Sequence, residues 1–179
     1  MFTQTLTNLE QINLLVDSSA LKIVLKIQDT SKVYNLENNT PSEYSILDSR
    51  IVSGLNNFEI KNQESSINKI TYTISKAGVE YTDLFRDGLF GEYLLERKFN
   101  LNGNYVVNNP DINVESDTFE LTLADTISYD DLVLVENSSL PFTKAIPPSE
   151  PFLPSILEPV IAITAVAVTV ILFFSVRSK

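Results

Sequence analysis

Cysteine and histidine are both absent from this 179-residue chain. Without cysteine there is no disulfide, no thiolate metal site and no thiol to carry a lipid. Without histidine the commonest general base and the commonest metal ligand are missing too. No G-x-x-x-x-G-K-[ST], G-x-G-x-x-G, H-E-x-x-H or G-x-S-x-G pattern occurs, and no cofactor is expected. Basic residues are few, 13 Lys and Arg against 23 Asp and Glu, for a net charge of −10. A chain so acidic is repelled by nucleic acid and by anionic lipid surfaces, which excludes a polyanionic partner. The charge otherwise serves solubility.

What the chain does have is a long apolar run at its end, "LEPVIAITAVAVTVILFFSVRSK". Val160 to Val176 are 17 residues with no formal charge. As a helix they rise about 26 Å, inside the lower range for a membrane span. Ser155, Ile156 and Leu157 extend the run, and Pro159 suits a first helical turn. The expected membrane-facing residues are Val160, Ile161, Val166, Val170, Phe173 and Phe174, on a transmembrane helix over 155–176. Ala162, Ala165 and Thr169 are small enough to let spans associate, so a homo-oligomer is open.

The tail 177–179 carries Arg177 and Lys179, and an excess of positive charge there places the C-terminus in the cytoplasm. The remainder then lies in a periplasm or outside the cell. The start, "MFTQTLTNLEQINLLVDSS", lacks the basic opening and apolar core of a signal peptide. Either a signal precedes this sequence, the reading preferred here, or the chain is tail-anchored with a cytosolic domain. Residues 1–140 are the size of one domain. Residues 141–154 hold five prolines in fourteen positions and are expected to form an extended linker.

Within the domain, Leu9, Ile12, Leu15 and Val16 recur at helical spacing and predict a short helix. "ALKIVLKIQ" then alternates, Leu21, Ile23, Leu25 and Ile27 against Lys22 and Lys26, and predicts a first strand. In "TPSEYSILDSRIVSGLNN", Thr40, Pro41 and Glu43 read as a capping box before an apolar stripe of Tyr44, Leu47, Ile51 and Leu55. "FEIK" is a short strand. "INKITYTIS" sets Ile70, Tyr72 and Ile74 on one face. "LLERKFNLNGNYVV" does the same with Leu95, Phe99, Leu101, Tyr105 and Val107, interrupted by Arg97 and Gly103. A glycine there marks a bulge or a close approach. "INVESDTFELTLADT" turns Phe119, Leu121 and Leu123 inward, and Ser128 with Asp131 opens a short final helix through Leu132, Val133 and Val135. One-sided alternation implies a mostly antiparallel sheet with one covered face. The fold class is α+β: a two-layer domain with helices on one sheet face, then the single transmembrane helix.

The element order, from "ALKIVLKIQ" through "SILDSRIVSGLNNFEI" and the paired long strands to "YDDLVLVEN", resembles the small α+β domains of bacterial envelope-assembly lipoproteins of the LptE kind. The resemblance spans roughly residues 20–137. It departs from that family in lacking a lipidated cysteine and in ending on a helical anchor, so the lipopolysaccharide role is not carried over. What it implies is a non-catalytic adaptor that docks on other proteins, by analogy of fold.

Two segments are candidates for a site. Asp117, Asp125, Asp130 and Asp131 lie close in sequence and could divide acid and base roles, though Asp130 and Asp131 are better placed as first-turn anions of the last helix. They show no calcium-loop spacing, and no metal site is expected. The other segment is "YTDLFRDGLFGEYLLER", where aromatics surround an arginine and two glycines, as at binding hot spots. Phe85, Arg86, Phe90 and Tyr93 are its candidate partner-binding residues, on an exposed loop or, alternatively, a loop folded back to plug the core. The sequons at Asn38 and Asn137 carry no weight in an Asn-rich chain. The expected function is a single-pass, membrane-anchored, non-catalytic adaptor or scaffold of the cell envelope, bound to envelope or membrane proteins. A tail-anchored cytosolic-side protein and a carboxylate enzyme are the alternatives.

Overall fold

In the computed structural model, which describes residues 5–27, 33–88, 91–110, 113–149 and 152–177, Thr7 sets the first element. Its hydroxyl accepts from the Glu10 amide at 3.2 Å, and Glu10 accepts from the Thr7 amide at 2.7 Å. This capping box starts α1, Asn8–Lys26. The helix therefore runs straight through "ALKIVLK", where alternation had suggested a strand. Ile12, Leu15, Val16, Ala20 and Ile23 are its buried stripe, whereas Leu21 and Leu25 are exposed. The apparent period of two came from surface leucines beside a true helical stripe, with no breaker between them.

A strand absent from the sequence reading follows, β1, Val33–Asn38. The expected helix over 40–56 is divided: a 3-10 turn, Ser42–Leu47, leads into α2, Asp48–Asn56. Thr40 does not cap it. Pro41 takes the cap position in an extended conformation and offers no side-chain acceptor. The stripe itself is as expected, with Tyr44, Leu47, Ile51 and Leu55 all buried. Arg50 and Asp17 form a two-bonded ion pair that ties α2 to α1.

Then come β2, Lys61–Asn62, β3, Lys69–Arg86, β4, Tyr93–Asn109, and β5, Asn113–Ser128. The sheet order is β2-β1-β3-β4-β5. β3, β4 and β5 pair antiparallel, but β1 is parallel to both its neighbours. The sheet is thus mixed: its long pairings are antiparallel, as expected, while the short β1 is parallel, because the 3-10 turn and α2 supply the crossover that a parallel pairing needs. One face is covered, chiefly by α1. Ile70, Tyr72, Ile74, Leu95, Phe99 and Tyr105 are buried there, and Tyr72 stacks on Phe119 at 5.4 Å. The other face is polar, with Lys98, Asn104, Thr118, Glu120 and Thr122 exposed.

β3 is far longer than its readable alternation. Its buried residues are Ile70, Tyr72 and Ile74, then Ala77, Val79 and Tyr81, then Leu84. The register against β4 slips between Ile74 and Lys76 and again between Tyr81 and Asp83. Each slip inserts one residue, Ser75 or Thr82, and restores the inward phase. On β4 the glycine expected to mark a close approach does so: a Cβ on Gly103 would lie 2.1 Å from the Thr73 carbonyl oxygen and 2.5 Å from Phe119 Cζ.

After β5 the expected last helix reduces to a 3-10 turn, Tyr129–Asp131, and a single turn, α3, Leu132–Val135. Ser128 makes no cap; its hydroxyl donates to Glu92 instead. The start of the proline-rich stretch packs on the domain. Pro141–Thr143 form a 3-10 turn, and buried Phe142 meets Tyr44 edge-on at 5.5 Å. The last element is α4, Phe152–Arg177. Its side chains are described for 159–175, and all of these are exposed. Among the described residues, no helix is long and apolar enough to cross a membrane.

Thr7→Ala is expected to lower stability by about 1 kcal/mol through loss of the cap, measurable by urea unfolding. The Thr7 amide also holds the Glu10 carboxyl below its ordinary value of 4.5. A carboxylate lowered in this way stabilises the fold above its unfolded pKa, and the contribution fades as pH falls through the folded value. Glu10→Gln should therefore match the parent below pH 4.5 more closely than at pH 7.

Candidate functional site

The hairpin between β3 and β4 holds the predicted partner-binding residues. Residues 81–86 and Tyr93, read as loop from sequence, are strand. The reversal is confined to Asp87–Glu92, closed by the Asp87 amide on the Glu92 carbonyl at 2.9 Å, with Gly88 at φ 76°. A side chain on Gly91 would meet the Asp87 carbonyl oxygen at 1.7 Å. The three described candidates do not form one surface. Arg86 and Tyr93 are cross-strand partners, the guanidinium 5.3 Å from the ring centre, and Arg86 Nε donates to the Gly91 carbonyl at 2.8 Å. Phe85 is 37 % exposed and pairs with Leu94 on the opposite face. Phe90 lies outside the described residues.

The densest polar site was legible only as an interruption. Arg97 is fully buried, at a position where β4 otherwise carries Leu95, Phe99 and Leu101. Cross-strand register aligns Tyr81, Arg97 and Asp125 in one row over β3, β4 and β5. Arg97 Nε and Nη2 donate to the two oxygens of Asp125 at 2.8 and 2.5 Å. Nη1 donates to the Leu6 carbonyl at 3.1 Å and to Asn8 Oδ1 at 2.7 Å. The guanidinium also lies over Phe99, 5.2 Å from its centre.

The network continues outward. Asn8 Nδ2 donates to the Tyr81 hydroxyl and to the Thr143 carbonyl, both at 2.9 Å. Tyr81 donates to Glu136 at 2.8 Å, and Gln11 Nε2 donates to Asp125 at 2.7 Å. Burial, reinforced by the bond to Glu136, pushes the Tyr81 hydroxyl far above its ordinary pKa. It is a fixed donor, not an acid. The site thus clamps the start of α1, three strands and the segment after α3 into one body, with four of the arginine's five N–H groups bonded within its own fold.

The sequence-adjacent carboxylates disperse. Asp125 is committed to Arg97 and Gln11. Asp117, eight residues away along β5 and thus about 27 Å off by strand rise, faces Lys26 at 3.8 Å. Asp131 accepts from Thr5 at 3.2 Å. Of the membrane-facing candidates, Val160, Ile161, Val166, Val170, Phe173 and Phe174 all lie exposed on α4.

Arg97→Met should destabilise the domain by about 3 kcal/mol, because it leaves Asp125 and Asn8 without their partner. Adding Asp125→Leu should recover part of that loss, so the double variant should unfold at higher urea than the single one.

No family model matches the chain, and no curated protein matches it. Among solved structures it is similar to a minor lipoprotein from Acinetobacter baumannii, at 16% identity and TM-score 0.37, covering 55% of this chain and 67% of that one. It is also similar to the rare lipoprotein B from Shewanella oneidensis, at 11% identity and TM-score 0.38, covering 58% and 76%. Both likenesses extend over little more than half of this chain.

Proposed function

We propose that this chain is a single-pass, membrane-anchored, non-catalytic adaptor of the cell envelope, holding its α+β domain outside the cytoplasm to bind envelope or membrane proteins. One observation carries the reading: the described part of α4 is apolar on every side. Ile163, Val166, Ile171, Phe173 and Phe174 are each more than 60% exposed, and Val160, Val168, Val170 and Leu172 about half exposed. Apolar surface of this extent is not left in water. The two threonines fit lipid as well. Thr164 donates to the Val160 carbonyl at 2.7 Å and Thr169 to the Ala165 carbonyl at 2.8 Å, so neither hydroxyl seeks water. The uncharged sequence runs from Pro159 on to Val176, with Ile156 and Leu157 beyond Glu158 at the entry, and falls in the lower range of span lengths.

Arg177 and Lys179 favour a cytoplasmic C-terminus. At the other end, Thr143 and Glu136 pin the exit of the chain to the domain, so the tether leaves from a fixed point. The end of the β3–β4 hairpin is the proposed docking region, with Phe85 offered on one face, Arg86 and Tyr93 on the other, and Phe90 in the sequence between the strands, since aromatic and arginine side chains dominate binding energy where they are accessible.

The full chain should remain with membranes through an alkaline wash. Val166→Lys with Val170→Lys should release it, each charge costing about 3 kcal/mol at a helix centre. Release of the unaltered chain by the same wash would refute the anchor. Protease added outside sealed cells should digest the domain; digestion only after lysis would favour the tail-anchored orientation. Phe85→Ser with Phe90→Ser should keep the melting temperature and lose captured envelope proteins. A lowered melting temperature would instead mean that these rings plug the core.

A further inference from the structure

The five-stranded sheet has two very different edges. At one end stands β2, two residues long, too short to template anything. At the other stands β5, sixteen residues long. It pairs with β4 in unbroken register from Asn109↔Asn113 to Leu94↔Ser128. Among the described residues no strand pairs its other side. Alternate residues of an antiparallel strand direct their N–H and C=O groups to opposite neighbours, so about half of the backbone groups of β5 face outward.

Long edges are normally blunted by proline, lysine, a bulge or a cover. Between residues 113 and 128 there is no Pro, Gly, Lys or Arg, and the register has no break. The packing is also one strand short on this side. Phe99 and Leu101 are fully buried, but their cross-strand partners Leu123 and Leu121 stay partly exposed.

Charge selects the occupant. The titratable side chains of β5 are all acidic: Glu115, Asp117, Glu120 and Asp125. Asp125 is consumed by Arg97 and Gln11. Asp117 accepts from the Thr118 amide at 2.8 Å and otherwise has the distant Lys26, half exposed like itself, and Glu120 stands exposed on the open face. A second copy is disfavoured by charge: it would bring another acidic strand, also without Lys or Arg, alongside this one. Antiparallel self-pairing centred on Leu121 sets Asp117 opposite Asp125, and centring it on Glu120 sets that residue opposite itself, and like charges directly opposed weaken a strand pair. Registers centred on Phe119 or Leu123 avoid direct opposition but supply no basic partner to any of the carboxylates.

We propose that β5 is a strand-addition site for an extended, basic segment of a partner protein. The incoming strand completes the backbone pairing. It carries lysine or arginine opposite Glu115 and Asp117 on the covered face and opposite Glu120 on the open face, and β-branched side chains over Leu121 and Leu123. This rests on the adaptor reading only in taking a protein as the partner; the anchor has no part in it.

The test uses the full chain in non-ionic detergent with a synthetic peptide of about ten residues, long enough to form one strand. The peptide alternates threonine with valine at one end and with lysine at the other. Expected are binding that weakens with salt and slowed amide exchange confined to residues 114–127. Replacing the lysines by glutamates should weaken binding at least about tenfold, and N-methylation of alternate peptide amides should do the same, because strand addition draws its affinity from main-chain bonds. The Glu115→Lys, Asp117→Lys variant should prefer the glutamate peptide. The proposal is overturned by no binding, by equal binding of the N-methylated or glutamate peptide, by protection outside β5, or by a dimer of the chain that the peptide does not dissociate. Loss of peptide binding with capture through the β3–β4 hairpin intact would sink this site and leave the adaptor reading standing.

Discussion

A guanidinium removed from water has to be surrounded by acceptors, and the fold is arranged around meeting that demand at Arg97. Its two bonds to Asp125, with those to Leu6 and Asn8, draw in parts of the chain from both ends of the domain. A buried pair of this kind adds little net stability over an apolar replacement, but it discriminates strongly among arrangements. A one-residue slip of β4 would put the arginine on the open face and strand Asp125. The row Tyr81–Arg97–Asp125 therefore fixes how β3, β4 and β5 align, and Asn8 and Glu136 extend the same control to α1 and to the segment after α3.

Legibility in the sequence followed the regularity of the backbone. β4 could be read residue by residue because its inward positions run without a slip from Leu95 to Val107. Its two exceptions, Arg97 and Gly103, are the buried charge and the close backbone approach. β3 was legible only up to Ile74, since straight counting loses phase at Ser75 and again at Thr82. Two stretches showed the spacing of a capping box. Thr7 and Glu10 form one; Thr40 and Glu43 do not, because an extended Pro41 stands between the threonine and the first turn. The strand expected over "ALKIVLKIQ" failed because Leu21 and Leu25 face solvent. β1 went unread because "VYNLEN" is short and mostly polar, and its pairing is fixed by distant partners. The hairpin residues were grouped correctly along the chain, but strand geometry sends Phe85 to one face and Arg86 with Tyr93 to the other.

In the proposed reading, the molecule separates support from recognition. The covered face and the arginine network make a rigid body, and the tether leaves it close to Thr143. The hairpin end and the β5 edge belong to elements whose alignment the buried row controls. A partner at either place meets preorganised backbone, which lowers the ordering cost of binding.

The two register slips in β3 have a consequence for chain length. Ser75 and Thr82 are surplus to the pairing with β4. Excising either would leave all the other inward residues of β3 pointing inward and merely straighten the ribbon. Removing one residue between them, such as Gly78, would instead turn part of the strand inside out. Insertions and deletions in this strand are thus admissible at two addresses and forbidden elsewhere, so related chains that differ in length along β3 should differ at 75 and 82.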